Sequence, residues 1–372
     1  MNPEDPPAPA TPAAAQHRFA AVYTVLSDAI ASRAFPGCAF GVYAGGHTLL
    51  EDALGRFTYE QAALPVLAGT VFDIASITKV AATTTAAMLL HQRGSLDLDT
   101  RLGDLLPGFV IGREPGDLAR HVTLRHLLAH NSGLPGYAEL FRTSATPEAL
   151  FRACLALPLE AAPGARAEYS DPGFILLGKA LEVLLCEPLA SWTHREIFQP
   201  LAMTSTGFCP PPGARHTMPP TEDDTTFRMR RIQGEVQDEN ASVLKGVAGH
   251  AGLFSTVPDL LRLAAEILAA AGGSGQARLF HAGTVDLFAQ RQPPPGSSRA
   301  LGWDTPSENS SAGQSFSPRS IGHLGFSGCS LWIDLKAGVA AALLTNRTWP
   351  DRQNQAIRSV RPAFHNALRS AL

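Results

Sequence analysis

Several things are scarce or missing in this chain of 372 residues, and each absence removes a class of protein. No apolar run reaches the roughly 18 residues that a membrane-crossing helix needs, so no span is expected. Basic charge is not in excess: 30 Lys and Arg face 33 Asp and Glu, a net charge of -3, mixed along the chain. That leaves no basic stripe for nucleic acid and no polybasic segment for a membrane surface. Cysteine is sparse and odd in number, with Cys38, Cys154, Cys186, Cys209 and Cys329 scattered and no C-x-x-C pair. Reduced, mostly buried thiols are expected rather than a disulfide framework. The first 16 residues are rich in Pro and Ala, carry Glu4 and Asp5, and lack both a basic start and an apolar h-region. They read as a disordered tail and not as a secretory signal, so a cytoplasmic location is expected. There are 12 His but no H-E-x-x-H or comparable ligand cluster, so neither a metal nor another cofactor is expected. No internal repeat is found. What remains is 45% hydrophobic, enough for the core of one large domain or two intimate ones.

Apolar spacing predicts a helix over Arg18 to Arg33, stopped by Phe35-Pro36-Gly37. Cys38 to Tyr43 and Thr48 to Leu54 read as strands joined at Gly45-Gly46, a hairpin. Thr70 to Ile74 is a short extended entry to a helix opening at Ser76 and ending near Gly94. Short helices are expected within 94–108 and over Thr123 to His130, then longer ones over Thr146 to Leu157, Pro172 to Leu185 and Leu189 to Ile197. Residues 209–250 are rich in Pro, Thr and charge, and are expected to be an irregular segment that shapes a groove. Thr256 and Asp259 stand at capping spacing before a helix from Leu260 to Ala271, closed by Gly272-Gly273-Ser274-Gly275. Ile321 to Leu324, Cys329 to Leu335 and Gly338 to Thr345 read as strands, and Asp351 to Ala371 as a terminal helix. Strands thus lie at both ends of the chain with a helical block between them. The fold class expected is α+β: one antiparallel sheet built from both ends and flanked by helices, with an inserted, mostly helical domain. The expected division is a tail at 1–16, a sheet domain of 17–75 with 251–372, and a helical domain at 76–250. The cleft falls where the Ser76 helix leaves the sheet.

Ser76-Ile77-Thr78-Lys79 is the first chemical candidate. A Ser and a Lys three apart share one helix face, with the Ser near the positive end of the dipole and the Lys placed to take a proton. The bland alternative is a helix start with an exposed lysine. Tyr169 is a second candidate base, against the alternative of a packed aromatic with a bonded hydroxyl. Asp171 precedes Pro172 and a helix, so an N-cap role is its plain alternative. His323-Leu324-Gly325-Phe326-Ser327-Gly328 is a third element, where small residues let a substrate backbone lie close. Gly325-Phe326-Ser327-Gly328-Cys329 lacks the last Gly of a G-x-S-x-G elbow, which disfavours an α/β-hydrolase.

In this order and spacing, Ser76-Ile77-Thr78-Lys79, Tyr169-Ser170-Asp171 and His323-Leu324-Gly325 resemble the serine β-lactamase and penicillin-binding-protein-like family. The resemblance is nearest to class C β-lactamases, D-Ala-D-Ala carboxypeptidases of that type and related esterases. Phe72-Asp73-Ile74-Ala75, the run Leu127 to Leu134 and the run Gly249 to Thr256 support it, and it extends from about Arg18 to the terminal helix. The resemblance implies that Ser76 is the acylated nucleophile and that Lys79 and Tyr169 share general base and acid work. The N–H groups of Ser76 and Phe326 would form an oxyanion hole, and Asp171, His323 and Gly325 would border the substrate. His323 stands where class C enzymes keep a lysine, and Asp171 where many members have Asn. Both departures disfavour a true β-lactamase. Gln237-Asp238-Glu239-Asn240-Ala241 resembles a segment of a cell-wall amidase or peptidase subgroup with Gln in place of a His. Asp238 and His250 are expected to be structural more than site-lining. The activity implied is cleavage or transfer of an ester or amide acyl group, with a small-molecule ester, amide or peptide as partner. Esterase stands first, peptidoglycan peptidase or amidase second and β-lactamase third, with a non-catalytic penicillin sensor as the non-enzyme alternative.

Overall fold

The structure, a computed structural model, describes residues 17–273 and 275–372. The expected tail at 1–16 and the Ser274 turn position lie outside the described residues. Ten strands are described: β1 Gly37–Ala44, β2 His47–Gly55, β3 Phe72–Asp73, β4 Gly207–Phe208, β5 Pro220–Asp224, β6 Arg230–Gln233, β7 Leu253–Ser255, β8 Ser320–Leu324, β9 Ser330–Asp334 and β10 Val339–Thr345. The helices of eight residues or more are α1 Ala20–Ala31, α2 Thr85–Gln92, α3 Pro147–Leu155, α4 Asp171–Leu185, α5 Val257–Ala271, α6 Ala282–Ala289 and α7 Ile357–Ser370. None of the described helices is long and apolar enough to cross a membrane.

Five strands form one antiparallel sheet in the order β2-β1-β10-β9-β8, so the first hairpin of the chain pairs directly with its last strand. The Gly45-Gly46 turn joins β1 to β2 with φ of 62° and 85°, a left-handed pair that glycine adopts without strain. The inner strands β1, β10 and β9 are buried on both faces, which is why they are apolar runs rather than alternating ones. Phe40, Val42, Ala341, Leu343 and Trp332 face the terminal helices α1 and α7. Ala39, Ala340, Ala342, Leu344, Leu331 and Ile333 face the opposite core, which holds α5. The α+β architecture, with the sheet built from both chain ends, is therefore what the structure has. β3, β7 and β4 form a second small sheet, and β5 with β6 a third.

Several boundaries differ from expectation. The helix after Ser76 is not regular: Ala75–Ile77 is a 3-10 turn, Lys79–Thr84 is wound as a wider π-helix, and only Thr85–Gln92 is α-helical. Asp73 and the threonines Thr78 and Thr85 bond the backbone here and compete with the α pattern. A π-type stretch follows Leu189–Thr193 as well. Residues 209–250 hold more order than their composition predicts, namely the β5–β6 pair and a short helix over Glu239–Val243. Helix α5 begins at Val257, with Thr256 as its cap accepting from Asp259 N–H. Helix α7 begins at Ile357 rather than Asp351, because Arg352 is drawn away to the buried Glu222 and Glu239.

Candidate active site

The backbone before Ser76 is held in an unusual shape. Ala75 has φ +48°, costly for a residue with a side chain. Its N–H donates to Asp73 Oδ1 at 2.8 Å and its carbonyl accepts from Thr78 Oγ1 at 2.6 Å. Asp73 is itself buried and takes a second N–H from Gln237 at 2.7 Å. Burial pushes its carboxyl up to about 6, against the pull of those two N–H bonds.

Lys79 is fully buried. Its Nζ donates to Asp171 Oδ1 at 2.6 Å, Tyr169 OH at 2.6 Å, Ser76 Oγ at 3.0 Å and the His250 carbonyl at 3.2 Å. An ammonium has three protons, so one proton is shared between two of these four acceptors. Burial works to lower the Lys79 pKa, but the charges and hydrogen bonds of Asp171 and Tyr169 outweigh it and raise it. Burial raises the Tyr169 pKa too, although Lys79 pulls it down. At neutral pH the resting site is thus a lysine ammonium beside a neutral phenol. Ser76 is also a hydrogen-bonding neighbour of the Tyr169 hydroxyl.

Asp171 is free for Lys79 because it is not the cap of α4. Ser170 is the N-cap, its Oγ accepting from Gly173 N–H at 3.0 Å, and Asp171 occupies the first helical turn. Tyr169 is set by a neighbour that the sequence did not single out. His130 accepts from Ser170 N–H through Nδ1 at 3.0 Å, and its ring lies between Tyr169 and Phe174, with centroids at 4.7 and 4.8 Å. Burial holds His130 neutral, its pKa well below the usual value. Arg299 covers the Tyr169 ring from a loop, 5.3 Å from its centroid. It too escaped the sequence reading, since nothing around it forms a motif.

His323 lies on β8, the edge strand of the main sheet. Its Nδ1 bonds the Leu324 carbonyl at 2.8 Å, while Nε2 is buried with no partner among the described residues. Burial, then Lys79 and Arg299, push its pKa well below the usual value. His323 is therefore a neutral acceptor at this position, not a cation. Gly325 and the half-exposed Phe326 follow in a turn. Neither the Ser76 nor the Phe326 N–H has a hydrogen-bond partner among the described residues. Ser327 is not a nucleophile candidate, since its Oγ is buried and donates to the Asp73 carbonyl at 2.8 Å.

Six of the seven residues singled out from sequence, Ser76, Tyr169, Asp171, His323, Gly325 and Phe326, line one cleft of 1350 Å³, and the seventh, Lys79, lies buried behind it. The 209–250 segment forms a wall of that cleft through Glu222, Gln237, Asp238 and Glu239. Asp238 caps the Glu239–Val243 helix and accepts from His250 Nε2 at 2.8 Å. Burial works against its carboxylate, but His250 and the Ala241 N–H hold it down at about 2. Asp238 thus does both things: it lines the cleft, and it supports the residue whose carbonyl meets Lys79.

Comparison with known proteins follows the same outline. The Beta-lactamase family model matches residues 22–362. An N-acetylmuramyl-L-alanine amidase of Bacillus subtilis (strain 168) is 32% identical over 346 residues, covering 84% of this chain and 77% of that protein. Among solved structures, EstCE1, a hydrolase with promiscuous acyltransferase activity, superposes with a TM-score of 0.75 at 23% identity, covering 95% of this chain and 100% of the other. A penicillin-binding protein homolog from Caulobacter crescentus superposes with a TM-score of 0.73 at 19% identity, covering 95% and 98%.

Proposed function

The chain belongs to the Beta-lactamase family, and from that membership we propose that it is a serine acyl hydrolase whose nucleophile is Ser76. One observation carries the reading: a single buried ammonium, Lys79 Nζ, bonds Ser76 Oγ, Tyr169 OH and Asp171 Oδ1 at once. A serine hydroxyl needs a base before it attacks. Lys79 becomes that base in the fraction of molecules whose ammonium has lost a proton to solvent, a fraction that the Asp171 carboxylate keeps small. Attack by Ser76 Oγ on an acyl carbonyl then gives a tetrahedral oxyanion, which the unpartnered N–H groups of Ser76 and Phe326 are free to bind. The intermediate collapses to an acyl-serine as Tyr169 gives its hydroxyl proton to the leaving group. Water, activated by the same Lys79 and Tyr169 pair, releases the acid.

Ester cleavage is the first activity within this reading, supported by a neutral His323 that donates through Nδ1 to the Leu324 carbonyl, keeps Nε2 unpartnered among the described residues and carries no charge to attract a carboxylate. Amide cleavage in a cell-wall peptide is the second, favoured by the likeness to the Bacillus subtilis amidase. Three substrates tried side by side decide: p-nitrophenyl esters of graded acyl length, a muramyl peptide and a chromogenic cephalosporin. Ester turnover is expected to lead, and fast cephalosporin turnover with slow ester cleavage would reverse the order. Incubation with a fluorophosphonate is expected to add its mass to Ser76. The Ser76→Ala variant should fold, lose turnover and lose that adduct. An adduct elsewhere, or turnover that survives the substitution, overturns the proposal.

A further inference from the structure

Arg361 has no catalytic part in the scheme above, yet its guanidinium makes three hydrogen bonds to one turn beside the cleft. It is buried on α7, and among the described residues it pairs with no carboxylate. Instead its Nη2 donates to the Gly325 carbonyl at 2.6 Å and the Cys329 carbonyl at 2.8 Å, and its Nε to the Gly328 carbonyl at 3.2 Å. Three carbonyls of one five-residue turn thus converge on one planar fork. A second buried guanidinium, Arg347, also lacks a carboxylate among the described residues and takes the next carbonyl, donating from Nε to Phe326 O at 2.7 Å. Its side chain lies 4.4 Å from the centroid of the Phe326 ring.

Peptide geometry turns this into a functional statement. The Gly325 carbonyl and the Phe326 N–H belong to one planar trans peptide and point in opposite directions. Fixing the carbonyl on Arg361 aims the N–H the other way, into the cleft, and a cation on the oxygen polarises the N–H as a donor. The Ser76 N–H is treated alike: its peptide partner, the Ala75 carbonyl, is held by Thr78 Oγ1 at 2.6 Å. A buried arginine without a counter-ion is costly, and here the cost falls where negative charge would develop on the substrate. Burial lowers the pKa of both guanidiniums, each to about 10, so both remain charged at neutral pH.

We propose that Arg361, supported by Arg347, is a positioning residue that aims and polarises the Phe326 N–H toward the oxyanion formed in the reaction. This rests on the reading of Ser76 and Phe326 given above. It concerns the transition state, so its loss should lower kcat and leave KM nearly unchanged.

The test uses the full chain with Arg361→Lys, Arg361→Ala and Arg347→Met, a p-nitrophenyl ester as substrate and a fluorophosphonate as the tetrahedral probe. Arg361→Ala should lower kcat about 10²-fold, the scale of one lost oxyanion donor, with KM within about threefold. The rate of phosphonylation of Ser76 should fall in parallel. Arg361→Lys keeps charge and loses the fork, so its kcat should lie between those of wild type and the Ala variant, as should that of Arg347→Met. Guanidinium ion added to the folded Arg361→Ala protein should restore part of kcat, and equal concentrations of ammonium should not. A folded Arg361 variant with near-normal kcat, or one raised in KM alone, overturns the proposal. If Arg361→Ala does not fold, a near-normal kcat in Arg361→Lys or Arg347→Met overturns it equally. The underlying reading fails separately, when wild-type turnover and labelling do not depend on Ser76.

Discussion

Asp171 changes what Lys79 can do. Its carboxylate, with the Tyr169 hydroxyl, raises the pKa of a lysine that burial alone would lower, so the resting Lys79 is a poor base. Replacing the carboxylate with an amide removes that charge while keeping an acceptor for Nζ. In Asp171→Asn the Lys79 pKa should fall, and the acid limb of the kcat/KM profile for ester cleavage should move to lower pH. An acid limb that stays in place would take Lys79 out of the base role. The same substitution leaves a fully buried ammonium without its counter-charge, and the side chain of Asp171 is only 16% exposed. We expect a loss of about 2 kcal/mol in unfolding free energy, less than for removing a buried partner outright because the amide oxygen still accepts. Tyr169→Phe keeps the ring against His130 and removes the proton. It should lower kcat about 10²-fold, as for a lost general acid–base group, with little change in stability. Near-normal kinetics would reassign the leaving-group proton.

At the scale of elements, the close approach of α4 to the segment leading into β7 is what brings Lys79 and His250 together. A Cβ on Gly249 would stand 2.1 Å from the Phe174 carbonyl and 2.9 Å from Gly178 Cα. Gly249→Ala therefore has to push the segment off α4, taking the Gly249 carbonyl from Thr83 Oγ1 and the His250 carbonyl from Lys79 Nζ. A loss of about 1–3 kcal/mol is expected from the overpacking, with a parallel fall in kcat. Unfolding in urea and ester kinetics on the same variant check both, and an unchanged midpoint would show that the segment yields at no cost. Elements of this kind differ in how legible they are. The central strands could be read because both of their faces are buried, which makes them apolar runs closed by glycine turns. The candidate site could be assembled from sequence because Ser76, Lys79, Tyr169 and His323 are residue types able to carry acyl-transfer chemistry at telling spacings. The π-wound stretch at Lys79–Thr84 could not, since side chain to backbone bonds such as that of Thr85 decide it. The Ser170 cap, Arg299 over Tyr169 and Arg361 under the Gly325 turn depend on contacts between residues far apart in the chain. The charged strands β5 and β6 do not follow an apolar period at all.

Over the whole molecule, buried imidazoles shape how the fold responds to acid. His130 and His323 are held well below the usual histidine value, and His365, packed against Phe316 and Phe364 with Nε2 beside Ser330 Oγ, is pushed down to about 3. Desolvation is the largest cause in all three. A base with a lowered folded pKa takes up its proton in the unfolded chain first, so stability is lost as pH falls below about 6.5. Asp73 opposes this. Its folded pKa is raised to about 6, so its contribution is fully present below the unfolded value near 4 and is lost as pH rises through 6. Near pH 5 the unfolded chain holds a proton on each of the three imidazoles, while the folded chain holds one on Asp73. Counting these four groups alone, the difference of two protons makes unfolding easier by about 3 kcal/mol per pH unit on acidification. His365→Gln removes one of the three and should reduce that slope by about 1.4 kcal/mol per pH unit. Urea unfolding of both proteins between pH 7 and 4.5 measures it. A slope left unchanged by His365→Gln would mean that His365 is not the neutral, buried group on which the Ser330 contact of α7 depends.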